Sequence, residues 1–184
     1  MRFVHRFVRQ HGLADDVANG ENMRHIGAHL DIDGDETAVS DLNAGSLRMH
    51  VCWGNYEDPH DHVIGIEKIM PIIFKAKPDM ISFEAANPRH QHEWAVWGSA
   101  KIPVNKILML GMLDTSTNFV EHPELVAQRI ERFTNIVGRD RVIASTDCGF
   151  GTFASHGKVE PGIAYKKLKS LTEGATIASK RLWK

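Results

Sequence analysis

The sequence predicts a parallel α/β fold of repeated strand–helix units, on three observations. Four short apolar, β-rich runs, 47–53, 80–85, Ile107–Leu113 and 142–147, begin roughly 30 residues apart, the period of a strand followed by a crossover helix. Helical spacing of apolar residues marks the stretches between them. Each run also ends in a cluster of side chains capable of chemistry, and in parallel α/β folds ligands gather at the carboxyl ends of the strands.

The clearest helix is Pro123–Val137. Glu121 or His122 precedes it, Pro123 suits its first turn, and Gly138 suits its end. Val126, Ile130, Phe133 and Val137 recur at helical spacing and give it one buried face. Residues 64–77 also read as helix, with Pro71 as a kink or restart. A last helix starts near Pro161 and is expected to turn Ala164, Leu168 and Leu171 inward. Residues 1–46 form a leader of uncertain structure ahead of the unit 47–184. Within it, Phe3/Phe7 and Val4/Val8 predict an amphipathic first helix stopped by Gly12, in preference to an Arg-rich transit peptide. Asp31-Ile-Asp-Gly-Asp-Glu36 has the look of a calcium loop. It carries Glu36 and Leu42 where such a loop needs Gly and Glu, so it reads as a solvated acidic turn.

The chain has 184 residues, 42% of them hydrophobic, enough for one domain with a real core. Its 22 Lys and Arg nearly cancel its 23 Asp and Glu, so it lacks the basic field that would hold nucleic acid or an anionic membrane. No apolar run approaches the length of a membrane span. Two cysteines without a dense cysteine framework suggest a reducing, cytoplasmic setting, where sparse thiols serve burial, catalysis or metal binding.

At the strand ends stand His50 and Cys52, then Glu84, then Cys148. His50 and Cys52 are two apart, so in a strand both point to one face. One nitrogen, one oxygen and two sulfurs suit zinc better than magnesium, calcium or blue copper. Taken singly the signals are weak: His-x-Cys is more often structural, Glu84 could form an ion pair, and the cysteines could be core residues. Their shared placement on one rim favours a metal.

His50-Val-Cys-Trp-Gly-Asn-Tyr56, Ser82-Phe-Glu-Ala-Ala-Asn-Pro-Arg-His90, Asp114-Thr-Ser-Thr-Asn-Phe-Val-Glu-His-Pro123 and Thr146-Asp-Cys-Gly-Phe-Gly151 together resemble the C-terminal catalytic barrel of the cobalamin-independent methionine synthase family. The likeness is closest to the branch of short homologues that includes the epoxyalkane:coenzyme M transferases. It covers about residues 47–155. The resemblance implies His50, Cys52, Glu84 and Cys148 as zinc ligands, and the C-terminal half of a (β/α)8 barrel, its first half without a counterpart in the chain. It implies a small thiol substrate and an alkyl or methyl donor, and so a place in methionine biosynthesis or related methyltransferase chemistry. A half-barrel could pair with a second copy to complete itself.

The ligand chemistry suits a thiol independently. Only the thiolate is a strong nucleophile, and zinc removes the thiol proton. Two thiolates and a carboxylate more than neutralise the metal, which favours thiol activation over polarisation of a carbonyl. The resemblance also brings a departure: the family's Asp-x-His motif, whose His donates a proton, is here Asp114-Thr-Ser116. Asp114 is expected to orient substrate, and Ser116 stands in place of the donor. Glu121, His122 and Asn118 could supply the proton or simply begin the helix. Asn87 and Arg89 could hold an anionic substrate group, and Trp53, Trp94 and Trp97 could wall a pocket or pack the strand–helix interface. The pairs His60/His62 and His90/His92 suggest a weaker second metal site. Three readings follow: zinc-dependent methyl or alkyl transfer to a thiol, addition of a thiol to an epoxide, and a catalytically silent zinc-binding remnant or assembly partner. A nucleic-acid-binding zinc module fits poorly, lacking local Cys-x-x-Cys spacing.

Overall fold

A computed structural model describes residues 39–55, 57, 63–151 and 157–184. The expected first helix, the acidic turn at 31–36 and the His60/His62 pair lie outside the described residues. After a short 3-10 turn, Ala44–Ser46, the elements run β1 (Arg48–Val51), α1 (Ile66–Ile73), β2 (Met80–Phe83), α2 (Trp94–Ser99), β3 (Ile107–Leu113), α3 (Pro123–Val137), β4 (Val142–Thr146) and α4 (Pro161–Leu182). A further 3-10 turn, Arg139–Arg141, leads into β4.

All three strand pairings are parallel, in the order β1-β2-β3-β4. A sheet whose strands follow chain order, each joined by a right-handed crossover, carries its helices on one face. That is the winding of a barrel rather than of an open sheet whose order reverses. Side chains alternate accordingly. Val51, Ile81, Phe83, Leu108 and Leu110 turn toward the helices and are buried in one core with Ile66, Ile69, Val126, Ile130 and Phe133. Trp97 stacks on Phe83 at 4.1 Å between ring centroids, which fastens α2 to β2 with about 0.5–1.5 kcal/mol beyond the area buried. Trp97 therefore serves the strand–helix interface, whereas Trp94 lies half open beneath Arg132.

The opposite, concave face carries His50, Ser82 and Gly111 among Arg48, Ile107, Met109 and Ile143, the last four only half-buried. It has no covering layer among the described residues, as expected of a barrel wall seen without its other half. β3 lies between two neighbours and is deeply buried along its last four residues. β4, paired on one side only among the described residues, is half-buried at every position.

Three elements show how local chemistry sets the boundaries. α3 has the bounds its periodicity predicts: His122 accepts the Glu124 N–H as N-cap, and Gly138 closes the helix at φ 86°. α1 contains Pro71 but runs only two residues beyond it, ending at Ile73. α4 departs from expectation. Its buried stripe is Lys167, Ser170, Gly174 and Ala178, while Leu168 is exposed and Ala164 and Leu171 are half-buried.

The reason lies in what α4 packs against. Lys167 Nζ donates to Glu121 Oε2 at 2.8 Å, and Ser170 hydrogen-bonds the Glu121 carbonyl. Glu121 Oε1 in turn accepts the Asp114 N–H at 2.9 Å, so this ion pair fixes the loop at the end of β3. At Gly174 the helices touch: an added Cβ would stand 2.5 Å from Val126 Cβ and 2.6 Å from the Pro123 carbonyl.

Gly174→Ala is therefore expected to destabilise the protein. Overpacking of about 1–3 kcal/mol outweighs the helix-propensity gain of about 1 kcal/mol, and the melting temperature should fall by roughly 2–4 °C. Lys167→Met, which leaves the mostly buried Glu121 carboxylate without its cation, should cost about 3 kcal/mol in a urea titration. Lys167→Met/Glu121→Gln should recover part of that loss.

Candidate metal centre

The register of β1 on β2 sets the level of the site. Val51 pairs with Phe83, so one residue further on Cys52 stands opposite Glu84, and Cys52 Sγ lies 3.0 Å from Glu84 Oε1. One residue before, His50 pairs with Ser82, and His50 Nδ1 meets Ser82 Oγ at 3.0 Å. With that nitrogen engaged, Nε2 faces the site, 3.4 Å from Cys148 Sγ. Cys148, just past β4, completes the group at 3.2 Å from Cys52 Sγ and 3.4 Å from Glu84 Oε1.

Thus β1, β2 and β4 bring all four expected ligands together. The donor atoms of His50, Cys52 and Cys148 lie within 4.8 Å of one another, and Glu84 meets both sulfurs. Tetrahedral zinc with bonds of about 2.0–2.3 Å separates its ligand atoms by about 3.3–3.8 Å. The two 3.4 Å contacts of Cys148 Sγ fall in that range, and those of Cys52 Sγ, at 3.0 and 3.2 Å, are slightly tighter. The sulfurs are far beyond the roughly 2.05 Å of a disulfide. The cluster needs only a small expansion to enclose an ion.

Its electrostatics favour a cation. Cys52, Glu84, Cys148 and Asp147 are all buried, and each gains negative charge on losing a proton. The hydrogen bond from Cys148 to Cys52, burial, and the nearby Glu84 and Asp147 push the Cys148 thiol far up. Negative charge placed here without a positive partner is strongly disfavoured. One backbone donor already serves a sulfur: Gly54, held at φ 102°, gives its N–H to Cys52 Sγ at 3.2 Å.

Glu84 is gripped from one side. Its Oε2 accepts Asn87 Nδ2 at 2.8 Å and Arg89 Nη2 at 3.2 Å, and His90 Nε2 stands 3.7 Å away. Its Oε1 is left facing the sulfurs. Asn87 and Arg89 are thus placed on Glu84, with Arg89 also donating to the Gly54 carbonyl. Trp53 is buried under this loop, its ring 4.2 Å from His90 and its Nε1 donating to the Ile64 carbonyl. His90 bonds Glu93 at 3.0 Å, while His92 is exposed, so this pair does not converge on a second site.

The β3 loop is organised around Asp114, whose Oδ1 accepts both the N–H and the hydroxyl of Ser116 at 2.8 Å. His122 is engaged as helix cap and Glu121 in its ion pair. Asn118 clips the loop to the segment before α4, donating to the Lys158 carbonyl and accepting the Glu160 N–H.

Three residues to which the motifs assigned no role are prominent here. Thr115 Oγ1 accepts the Cys148 N–H at 3.2 Å and donates to Asn55 Oδ1, and Asn55 donates to the Gly149 carbonyl. Asp147 is fully buried and accepts the N–H groups of Ala85, Ala86 and Asn87. Burial pushes its carboxyl up to about 7, against the pull of the Ala85 and Ala86 donors. The one sequence signal for these residues is polarity beside a ligand at a strand end.

Comparison with known proteins bears on the same residues. The model of the family described as "Cobalamin-independent synthase, Catalytic domain" matches residues 33–161. Among curated relatives, a 2-hydroxypropyl-CoM lyase of Xanthobacter autotrophicus is 27% identical over 80% of this chain and 44% of its own length. A methionine synthase of Saccharolobus solfataricus is 27% identical over 79% of this chain and 38% of its own. The fold is similar to that of a B12-independent methionine synthase from a Shewanella species, solved with selenomethionine. There the TM-score is 0.68 at 22% identity, over 88% of this chain and 46% of that one. The chain therefore spans less than half the length of these relatives, and its four parallel strand–helix units form half of a TIM-type barrel. On the extent of the family match, the chain belongs to the cobalamin-independent synthase catalytic-domain family.

Proposed function

We infer that residues 47–184 bind one zinc ion through His50, Cys52, Glu84 and Cys148 and activate a small thiol for alkyl or methyl transfer. The observation that carries this reading is the convergence of donor atoms on Cys148 Sγ, which lies 3.2–3.4 Å from Cys52 Sγ, Glu84 Oε1 and His50 Nε2, with Cys52 Sγ 3.0 Å from Glu84 Oε1. The relatives' names, a methionine synthase and a lyase of a hydroxypropyl thioether of coenzyme M, support chemistry at sulfur.

Zinc held there would supply Lewis acidity that keeps a substrate thiol ionised at neutral pH. The chain's residues do the rest. Ser82 holds His50 with its Nε2 toward the site, and Asn87 and Arg89 hold Glu84 with one oxygen toward it. The thiolates of Cys52 and Cys148 with the Glu84 carboxylate give the centre surplus negative charge, which leaves a substrate sulfur electron-rich. Asp114 carries its hydrogen-bonded Ser116 at the end of β3, where the related motif has a histidine. That hydroxyl is engaged with Asp114, so a methyl donor is not singled out over an epoxide. The uncovered concave face supports a second reading: the chain is a zinc-binding half that needs the opposite barrel wall, from another chain or a second copy, before it turns over. A reducing compartment such as the cytoplasm would keep both cysteines as thiols.

Purified protein is expected to contain about one zinc per chain by elemental mass spectrometry, and Cys148→Ser most of a site less. Stoichiometric zinc surviving in Cys52→Ser/Cys148→Ser contradicts the ligand assignment. A free thiol of pKa near 8.5 is only about 3% ionised at pH 7. Over metal-free protein, the zinc-loaded chain should therefore accelerate thiol alkylation by up to about 30-fold at pH 7. That advantage should shrink toward unity above about pH 9, as the free thiol ionises unaided. Equal rates across a panel of methyl donors and epoxides, at every oligomeric state present, favour the silent half.

A further inference from the structure

Resting on the zinc reading above, we propose that Asp147 is a positioning residue that fixes Glu84 and Cys148 at the separation the metal needs. The two residues come from β2 and β4, which are not neighbours: β3 lies between them. Ordinary strand pairing therefore does not set their distance. A link must cross β3, and Asp147 supplies it.

Its backbone belongs to the β4 end, with its N–H donated to the Leu113 carbonyl at 2.9 Å, and Cys148 is the next residue. Its carboxylate reaches over β3 to the loop that follows Glu84. Oδ1 accepts Ala85 N–H at 2.8 Å and Ala86 N–H at 2.9 Å. Oδ2 accepts Asn87 N–H at 2.9 Å and Asn87 Nδ2 at 3.2 Å. The same Nδ2 donates to Glu84 Oε2 at 2.8 Å. The Asn87 amide thus joins the two carboxylates, and the route from Cys148 to Glu84 is continuous: main chain, Asp147, Asn87, Glu84.

The crossing is possible only because β3 has a glycine beneath it. A Cβ on Gly111 would fall 1.8 Å from Asp147 Oδ1 and 2.7 Å from its Cα, closer than atoms can approach. Arg129, reaching from α3, donates to the Met112 and Ala86 carbonyls and steadies both sides of the passage. Glycine in β3, buried aspartate after β4 and asparagine after β2 are three separated positions with one geometric purpose. Groups that hold metal ligands in place typically change metal affinity by about 10–100-fold when removed.

The test compares zinc affinity, by competition with a chromophoric chelator, in wild type, Asp147→Asn and Asn87→Ala, with cobalt(II) absorption as a report of ligand geometry. Asp147→Asn keeps one acceptor oxygen but turns an NH2 toward the two Asn87 donors. Asn87→Ala leaves the three backbone N–H groups on Asp147 and removes the amide link to Glu84, together with the acceptor of the Arg89 N–H. Each variant should bind zinc about 10–100-fold more weakly and shift the cobalt bands. Their combination should cost less than the product of the two, because both break one chain of contacts. Should Asp147→Asn fail to fold by circular dichroism, Asn87→Ala decides alone. Wild-type affinity and an unchanged cobalt spectrum in the folded variants overturn the proposal, as does a weakening that merely tracks lost stability with unchanged bands. A wild type that binds no zinc overturns the zinc reading itself, which a positive wild type with indifferent variants does not.

Discussion

Two thiols and a carboxylate, which repel one another once ionised, are packed beside an imidazole at a single point, and most of the local structure is explained by the need to hold them there. The thiols and the buried carboxylate meet at 3.0–3.4 Å, and the imidazole joins them through Cys148 Sγ at 3.4 Å. Removing water from such a group strongly disfavours its charged forms, so the arrangement is stable only while protons or a cation neutralise it. Parallel pairing brings Cys52 and Glu84 level by register alone. His50 lies on the same strand as Cys52, whereas Cys148 comes from two strands beyond Glu84, and the contacts that bring it in are polar, buried and numerous.

Those contacts sort by distance from the centre. Ser82, Asn87 and Arg89 touch the candidate ligands and aim them. Asp147, Thr115 and Asn55 hold the loops that carry them. Further out, the Lys167–Glu121 pair pins the β3 loop to α4, and Gly174 lets α4 sit close enough to α3 for that pair to form. A helix of 22 residues, about 33 Å long at 1.5 Å per residue, is thus aligned by one buried lysine and one glycine, in a way that its hydrophobic pattern does not announce.

That contrast explains how much of the molecule is legible in its residues. Strand and helix identities follow from periodicity and punctuation, and α3 has the predicted limits because Pro123, His122 and Gly138 act locally. The meeting of His50, Cys52, Glu84 and Cys148 is legible because strand ends in a parallel sheet share one level. The inward face of α4 is not: Leu168 is exposed because tertiary pairing of Lys167 outweighs local apolar spacing. Asp147 and Thr115 stand in plain sight within the motifs, but their roles depend on partners about 60 and 33 residues away in the chain. The glycine in β3 has meaning only once β4 is laid beside it.

The most direct measurement is anomalous diffraction at the zinc absorption edge from crystals of the protein as purified. The account predicts a single strong peak about 2.0–2.3 Å from His50 Nε2, Cys52 Sγ, Glu84 Oε1 and Cys148 Sγ. A zinc ion bound through other side chains, or well-ordered crystals from zinc-containing buffer with no peak among these four, would contradict it.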